Sequence, residues 1–346
     1  MTIGTGAAPD LQTPAIQTDT TRTDAIAPGG TGAGGMRSLK KLLDGSGIVL
    51  VFIILFIVLS ALVPDFLSSG NITGLLLSVT LIGTIAVTMM FVLALGEVDL
   101  SVASIVAFSG VVGASVTSAT HSSLAGVVVG VLSGGLVGFL NGFVVARLGI
   151  NSLIATLASM EIVRGLAYIV SNGDAVIITQ ESFFSIGAAS FLGLTLPVWV
   201  MFAGFIVFGA LLNYTVFGRN VLAIGGNSEA ARLAGLSVTR IKIVVFTLQG
   251  LLTGLTGVIL TSRMALGDPK TSQGLELAVI SACVLGGVSL VGGVASISGV
   301  IVGVFIMGAV ENAMGLLNVP TFYQYLVRGG ILLLAVIFDR WKTARR

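Results

Sequence analysis

The sequence predicts an all-α fold, a polytopic transmembrane helical bundle of about ten spans. Three observations predict it. The 346-residue chain is 55% hydrophobic and 9% charged, with a mean hydropathy of +1.07, whereas a soluble domain carries about 25% charged residues. Ten apolar runs approach or exceed the roughly 20 helical residues needed to cross a hydrocarbon core. Glycine contributes 47 residues, about twice its ordinary share, and several recur at helical spacing.

Residues 1–35 are rich in Gly, Ala, Thr and Pro and hold too few large apolar side chains to bury a core. No apolar stretch follows a basic start there, so the segment does not read as a secretory signal. Residues 36–44, M-R-S-L-K-K-L-L-D, fit a basic amphipathic helix on the inner membrane surface. Together, 1–44 read as a disordered cytoplasmic tail with a basic amphipathic end. The transmembrane domain follows over 45–342. Its spans are expected at 47–63, 72–95, 100–118, 124–146, 152–171, 197–213, 241–262, 276–291, 294–315 and 324–338. The fifth contains Glu161 and Arg164, and the eighth and tenth are short. The stretch 187–197 has room for an additional half-helix.

Gly130, Gly134, Gly138 and Gly142 recur every four residues along the fourth span, with Gly250 and Gly254, then Gly299 and Gly303, repeating the pattern. Such small-residue stripes let helix backbones approach closely in lipid. Charge sets the orientation. With both termini inside, thirteen Lys and Arg fall on the cytoplasmic side and two, Arg263 and Lys270, outside; this bias places the 214–240 loop in the cytoplasm.

That loop contains a polar island at 227–242, N-S-E-A-A-R-L-A-G-L-S-V-T-R-I-K. Ser228 is expected to cap a short helix and Gly235 to end it in a left-handed turn. Ala230, Leu233 and Ala234 would share one face, and Glu229 and Arg232 the other. The element reads either as a docking helix for another protein or as a solvated loop whose charges fix topology. A second motif, G-E-V-D-L-S-V-A-S at 96–104, places Asp99 and Ser101 at a helix start. It suits a plain cap near the inner surface, with a broken-helix element on a substrate path as the alternative. Glu161 and Arg164, at i and i+3, are expected to pair with each other. Glu276, Glu311 and Arg328, near the outer ends of the last three spans, either join in a network at a cavity mouth or snorkel singly.

Several function classes are excluded. A net charge of +2 without a basic stripe offers nothing to nucleic acid. One cysteine, Cys283, forbids an internal disulfide, and the single His121 makes neither a metal site nor a catalytic pair. No Gly-Lys dipeptide exists, so the chain carries no Walker A phosphate loop and no nucleotide cofactor is expected.

The segment E-A-A-R-L-A-G, from Glu229 through Ala230, Ala231, Arg232, Leu233 and Ala234 to Gly235, resembles the coupling loop of ATP-binding-cassette importer permeases. The longer I-G-G-N-S-E-A-A-R-L-A-G-L-S-V-T-R-I-K (224–242) is similar to the permeases for ribose, xylose and arabinose. So are V-D-L-S-V-A-S, N-S-L-I-A-T-L-A-S-M-E-I-V-R-G (151–165) and L-G-G-V-S-L-V-G-G (285–293). Glu97 and Ala103 depart from glycines common in that family. The 314–329 segment looks closest to arabinose permeases. The resemblance covers about 45–342 and implies a non-enzymatic, multi-pass inner-membrane permease subunit that imports a pentose or related monosaccharide. It further implies a homodimer, a separate cytoplasmic ATPase docked on 228–235, and a periplasmic sugar-binding protein. Candidates for the translocation path are Asp99, Ser101, Glu161, Arg164, Glu311 and Arg328. An ion-coupled secondary transporter is the rival reading; it would want an ionisable group near mid-membrane, where Glu161 is the one candidate.

Overall fold

The computed structural model describes residues 1, 2, 4 and 33–343, and of 33–46 and 338–343 the backbone alone. Of the expected tail at 1–44, residues 3 and 5–32 lie outside the described residues. The chain divides into two units, Met1–Gly45 and Ser46–Arg346, and apart from the start of α1 the second carries everything that follows.

In chain order the helices begin with α1 (Ala33–Leu62), which takes in residues 36–44, and α2 (Ser69–Ala94). Next are α3 (Val102–Thr120), α4 (Ser123–Arg147) and α5 (Ser152–Ser171). Strand β1 (Val176–Ile177), helix α6 (Glu181–Ala188) and the hairpin strands β2 (Ser190–Phe191) and β3 (Leu194–Thr195) lead to α7 (Leu196–Tyr214). Helices α8 (Val216–Gly226) and α9 (Ser228–Leu233) precede α10 (Val238–Met264) and strand β4 (Leu266–Gly267). The chain closes with α11 (Leu275–Leu285), α12 (Ile297–Leu316) and α13 (Thr321–Thr343).

Seven of these helices are long and apolar enough to cross a membrane, and three shorter apolar ones bring the total to the expected ten. The eighth span is trimmed most, to α11, because Gly286 and Gly287 end it, the latter at φ +82°. No half-helix occupies 187–197. The helical turn comes earlier, as α6, and the β2–β3 hairpin fills the remainder. The 214–240 loop is likewise more ordered than expected, holding α8 as well as α9.

Helix α2 is the buried axis, with every residue from Ile82 to Ala94 inaccessible. The glycine stripe of α4 lies on α10. A Cβ at Gly138 would sit 2.2 Å from the Phe246 carbonyl oxygen, and one at Gly134 would sit 2.7 Å from Gly254 Cα. Gly299 and Gly303 press in the same way on Gly286 and Ala282 of α11. Close backbone approach of this kind is what small residues provide where no water drives helices together. At the end of α10, Ser262 Oγ donates to the Phe183 carbonyl at 2.6 Å and accepts from the Gly187 amide at 2.7 Å, seating α6. Beside it β1 pairs antiparallel with β4, Val176 opposite Gly267.

Candidate functional site

The two ends of the bundle carry different chemistry. At the α9 end, Asn227 rather than Ser228 caps the short helix: its side chain accepts from the Ala230 amide at 2.9 Å, and Ser228 is the first helical residue. The shift has a local cause, since Asn227 has the extended backbone a cap requires and Ser228 has already turned helical. Gly235 closes the helix at φ +87°. Glu229 and Arg232 pair at 2.6 Å on the exposed side. Ala230, Leu233 and Ala234 are also exposed, Leu233 by 81%, whereas Ala231 turns inward to the cluster holding Val221 and Val245. Arg147, Arg232 and Arg240 line a concavity of about 370 Å³ beside the helix.

Both flanks of α9 are fastened to the same place, the junction between α2 and α3. On one flank a Cβ at Gly225 would lie 1.8 Å from the Ala94 carbonyl oxygen. The Gly293 amide donates to that same carbonyl at 2.9 Å. Gly96, Gly292 and Gly293 all take positive φ there, so the joint is backbone against backbone, and a side chain would break it. On the other flank Lys242 donates to Glu97. Sequence reading took Glu97 as a departure from glycine; the structure gives it a partner.

Asp99 is fully buried, which a plain surface cap would not be. Its Oδ1 accepts from the Ser101 amide at 2.9 Å and from Ser101 Oγ at 2.5 Å, and Asn141 Nδ2 donates to Ser101 Oγ at 2.9 Å. No side-chain bond caps α3. Ser152 and Thr156 of α5 accept from the Val98 and Leu100 amides at 3.2 and 3.1 Å. The cluster thus satisfies an irregular stretch of backbone that burial would otherwise penalise.

At the opposite end, the expected Glu161–Arg164 pair does not form. Arg164 Nη1 donates instead to the Pro269 and Thr271 carbonyls at 2.6 and 2.9 Å, pinning the 269–273 loop, and Glu161 is left exposed on α5. Arg164 is half-buried against that loop, and two carbonyls satisfy it better than an i, i+3 partner pointing outward. Arg328 and Glu311 do pair, Nε to Oε1 at 2.7 Å. They line a cavity of about 210 Å³ with Ser78, Thr271, Ser272 and Gln273. Arg164, Glu311 and Arg328 therefore gather around one loop, while Asp99 and Ser101 belong to the other end. Sequence reasoning missed Ser78 and Gln273, which nothing local distinguishes from other span-end polar residues.

Residues 71–336 match the family described as "Branched-chain amino acid transport system / permease component". The chain belongs to that family. Its relatives narrow the branch: the permease is 66% identical over 322 residues to the L-arabinose ABC transporter permease protein of Azospirillum brasilense, covering 93% of this chain and 94% of that one. It is 56% identical over 305 residues to the L-arabinose transport system permease protein of Escherichia coli (88% and 93% covered). A ribose import permease of Bacillus subtilis is 41% identical over 293 residues (84% and 91% covered). No solved structure matches. The permease is thus a transport protein of the ABC sugar-permease branch, not an enzyme, and the ion-coupled alternative falls away.

Proposed function

We propose that this permease is the membrane subunit of an ATP-driven importer and that its sugar is L-arabinose. One observation carries the substrate: identity of 66% and 56% to two L-arabinose permeases against 41% to a ribose permease. The geometry supports the mechanism. The exposed Ala230, Leu233 and Ala234 give a cytoplasmic ATPase a small apolar ridge, with Glu229, Arg232 and the capping turn 228–235 around it. Closure of the motor would pull on α9, and the flanking attachments at Gly225 and Lys242 would carry that pull to α2. A separate binding protein would deliver sugar at the other end, beside Arg164, Glu311 and Arg328.

Orientation and assembly complete the reading. The thirteen-to-two charge bias supports a topology with α9 and both termini in the cytoplasm of a bacterial inner membrane. Glu161 sits exposed at the middle of α5, where lipid is a costly neighbour for a carboxylate. A Cβ at Gly165, one turn on, would meet nothing within 4 Å. A second copy packed on α5 would cover both, which makes Glu161 a path residue of a homodimer. Asp99 and Ser101 are assigned to holding the α2–α3 junction in shape.

The decisive experiment is uptake in proteoliposomes holding the permease, its ATPase and its binding protein. ATP-dependent entry of L-arabinose well ahead of ribose is expected. Full uptake by the permease alone would sink the importer reading, and preference for ribose would sink the substrate.

A further inference from the structure

We propose that the cavity around Glu311 and Arg328 is a hydroxyl-binding subsite through which the permease itself holds the sugar in transit. The proposal rests on the importer reading above and adds to it a residue-level site.

The ion pair is built unlike a structural clamp. A guanidinium and a carboxylate that serve only each other often form a two-pronged contact. Here only Nε of Arg328 reaches Glu311, through Oε1. Both terminal amino groups of Arg328 and Oε2 of Glu311 make no hydrogen bond among the described residues, and the side chains of Thr271, Ser272 and Gln273 make none either. Both charged side chains are 19% exposed. Charges withdrawn this far from water are costly unless something polar meets them. Donors and acceptors thus stand open around one cavity of about 210 Å³, below the roughly 300–1,000 Å³ of drug-sized pockets and suited to a small polar molecule.

A monosaccharide hydroxyl donates and accepts at once, so it can bridge Glu311 Oε2 and an Arg328 amino group. The Gln273 amide offers a donor and an acceptor beside them, and Ser78 Oγ, which donates to the Leu75 carbonyl at 2.8 Å, keeps acceptor capacity. Leu81 and Ile82 of α2 add an aliphatic wall for the C–H face of a ring. Arg164 is a positioning residue: its bonds to Pro269 and Thr271 hold the loop that presents Gln273.

The test is saturation-transfer NMR of L-arabinose on the purified permease–ATPase complex without binding protein, paired with ATP-driven uptake in the complete importer. Wild type should show transfer to the sugar, and little to tetrahydropyran, the ring without hydroxyls, because a site made of hydrogen-bonding groups rejects a ligand that leaves them unpaired. Glu311→Gln should weaken transfer and slow uptake about tenfold. Gln273→Ala and Ser78→Ala remove no hydrogen bond between elements, so their similar losses keep the test valid even if Glu311→Gln fails to fold. Variants matching wild type in both assays, or equal transfer to tetrahydropyran, would overturn the subsite and leave the importer standing. Absence of ATP-driven uptake in wild type would instead overturn the importer reading.

Discussion

Single residues set the tolerances of this molecule. Gly225 has no room for one methyl group, since its Cβ would come within 1.8 Å of a backbone oxygen that cannot move aside alone. Gly225→Ala should therefore cost on the order of 3 kcal/mol, the upper end of overpacking penalties, visible as a fall of several degrees in the Tm of detergent-purified protein. The adjacent cap makes a milder test. Asn227→Ala should cost α9 about 1 kcal/mol, speeding amide hydrogen exchange in Ala230–Leu233 roughly fivefold, while Ser228→Ala should leave it unchanged. A larger effect at Ser228 than at Asn227 would return the cap to Ser228. That one-residue shift shows where sequence reading stops: both residue types cap well, and only the backbone angles of 227 and 228 decide between them. Arg164 shows a second limit, because its acceptors are backbone carbonyls more than a hundred positions away, and carbonyls leave no mark in side-chain identity.

At the scale of elements, the α4–α10 contact is the one most visible in advance, because a four-residue glycine period has few uses in a span other than close packing. Replacing Gly134 and Gly138 by Leu should abolish folded protein, read as loss of the monodisperse peak in detergent. Gly165→Leu on α5 should leave that peak intact, since a Cβ there would meet no heavy atom within 4 Å; under the homodimer proposal it should shift the assembly toward monomer. The ten apolar helices were legible because hydropathy acts over some twenty residues and averages out local error. The short elements were not. Helix α9 has six residues, too few for spacing to settle which alanine faces in, and the structure buries Ala231 while leaving Ala230 outside. Helix α8 hid inside the 214–240 segment, because its eleven residues are too few to register as a span. The 187–197 stretch had room for a half-helix, yet Gly193 at φ +79° turns it into a hairpin instead.

For the whole molecule, the proposed orientation has a direct check. Leu233 and Leu192 are 81% and 77% exposed at opposite ends, and the native Cys283 is fully buried, so it should stay silent toward a thiol reagent. In intact cells an impermeant maleimide should label Leu192→Cys and spare Leu233→Cys until the membrane is opened; the reverse pattern would invert the topology. The glycine joint between Ala94, Gly225 and Gly293 has a consequence for how such a transporter could be rewired. It is made of main chain alone, so it carries no side-chain pattern that must match whatever docks on α9. Under the docking proposal, address and lever are separate parts. Exchanging residues 229–234 for those of a ribose relative should redirect the permease to another motor while the lever, keeping its glycines, transmits the stroke as before.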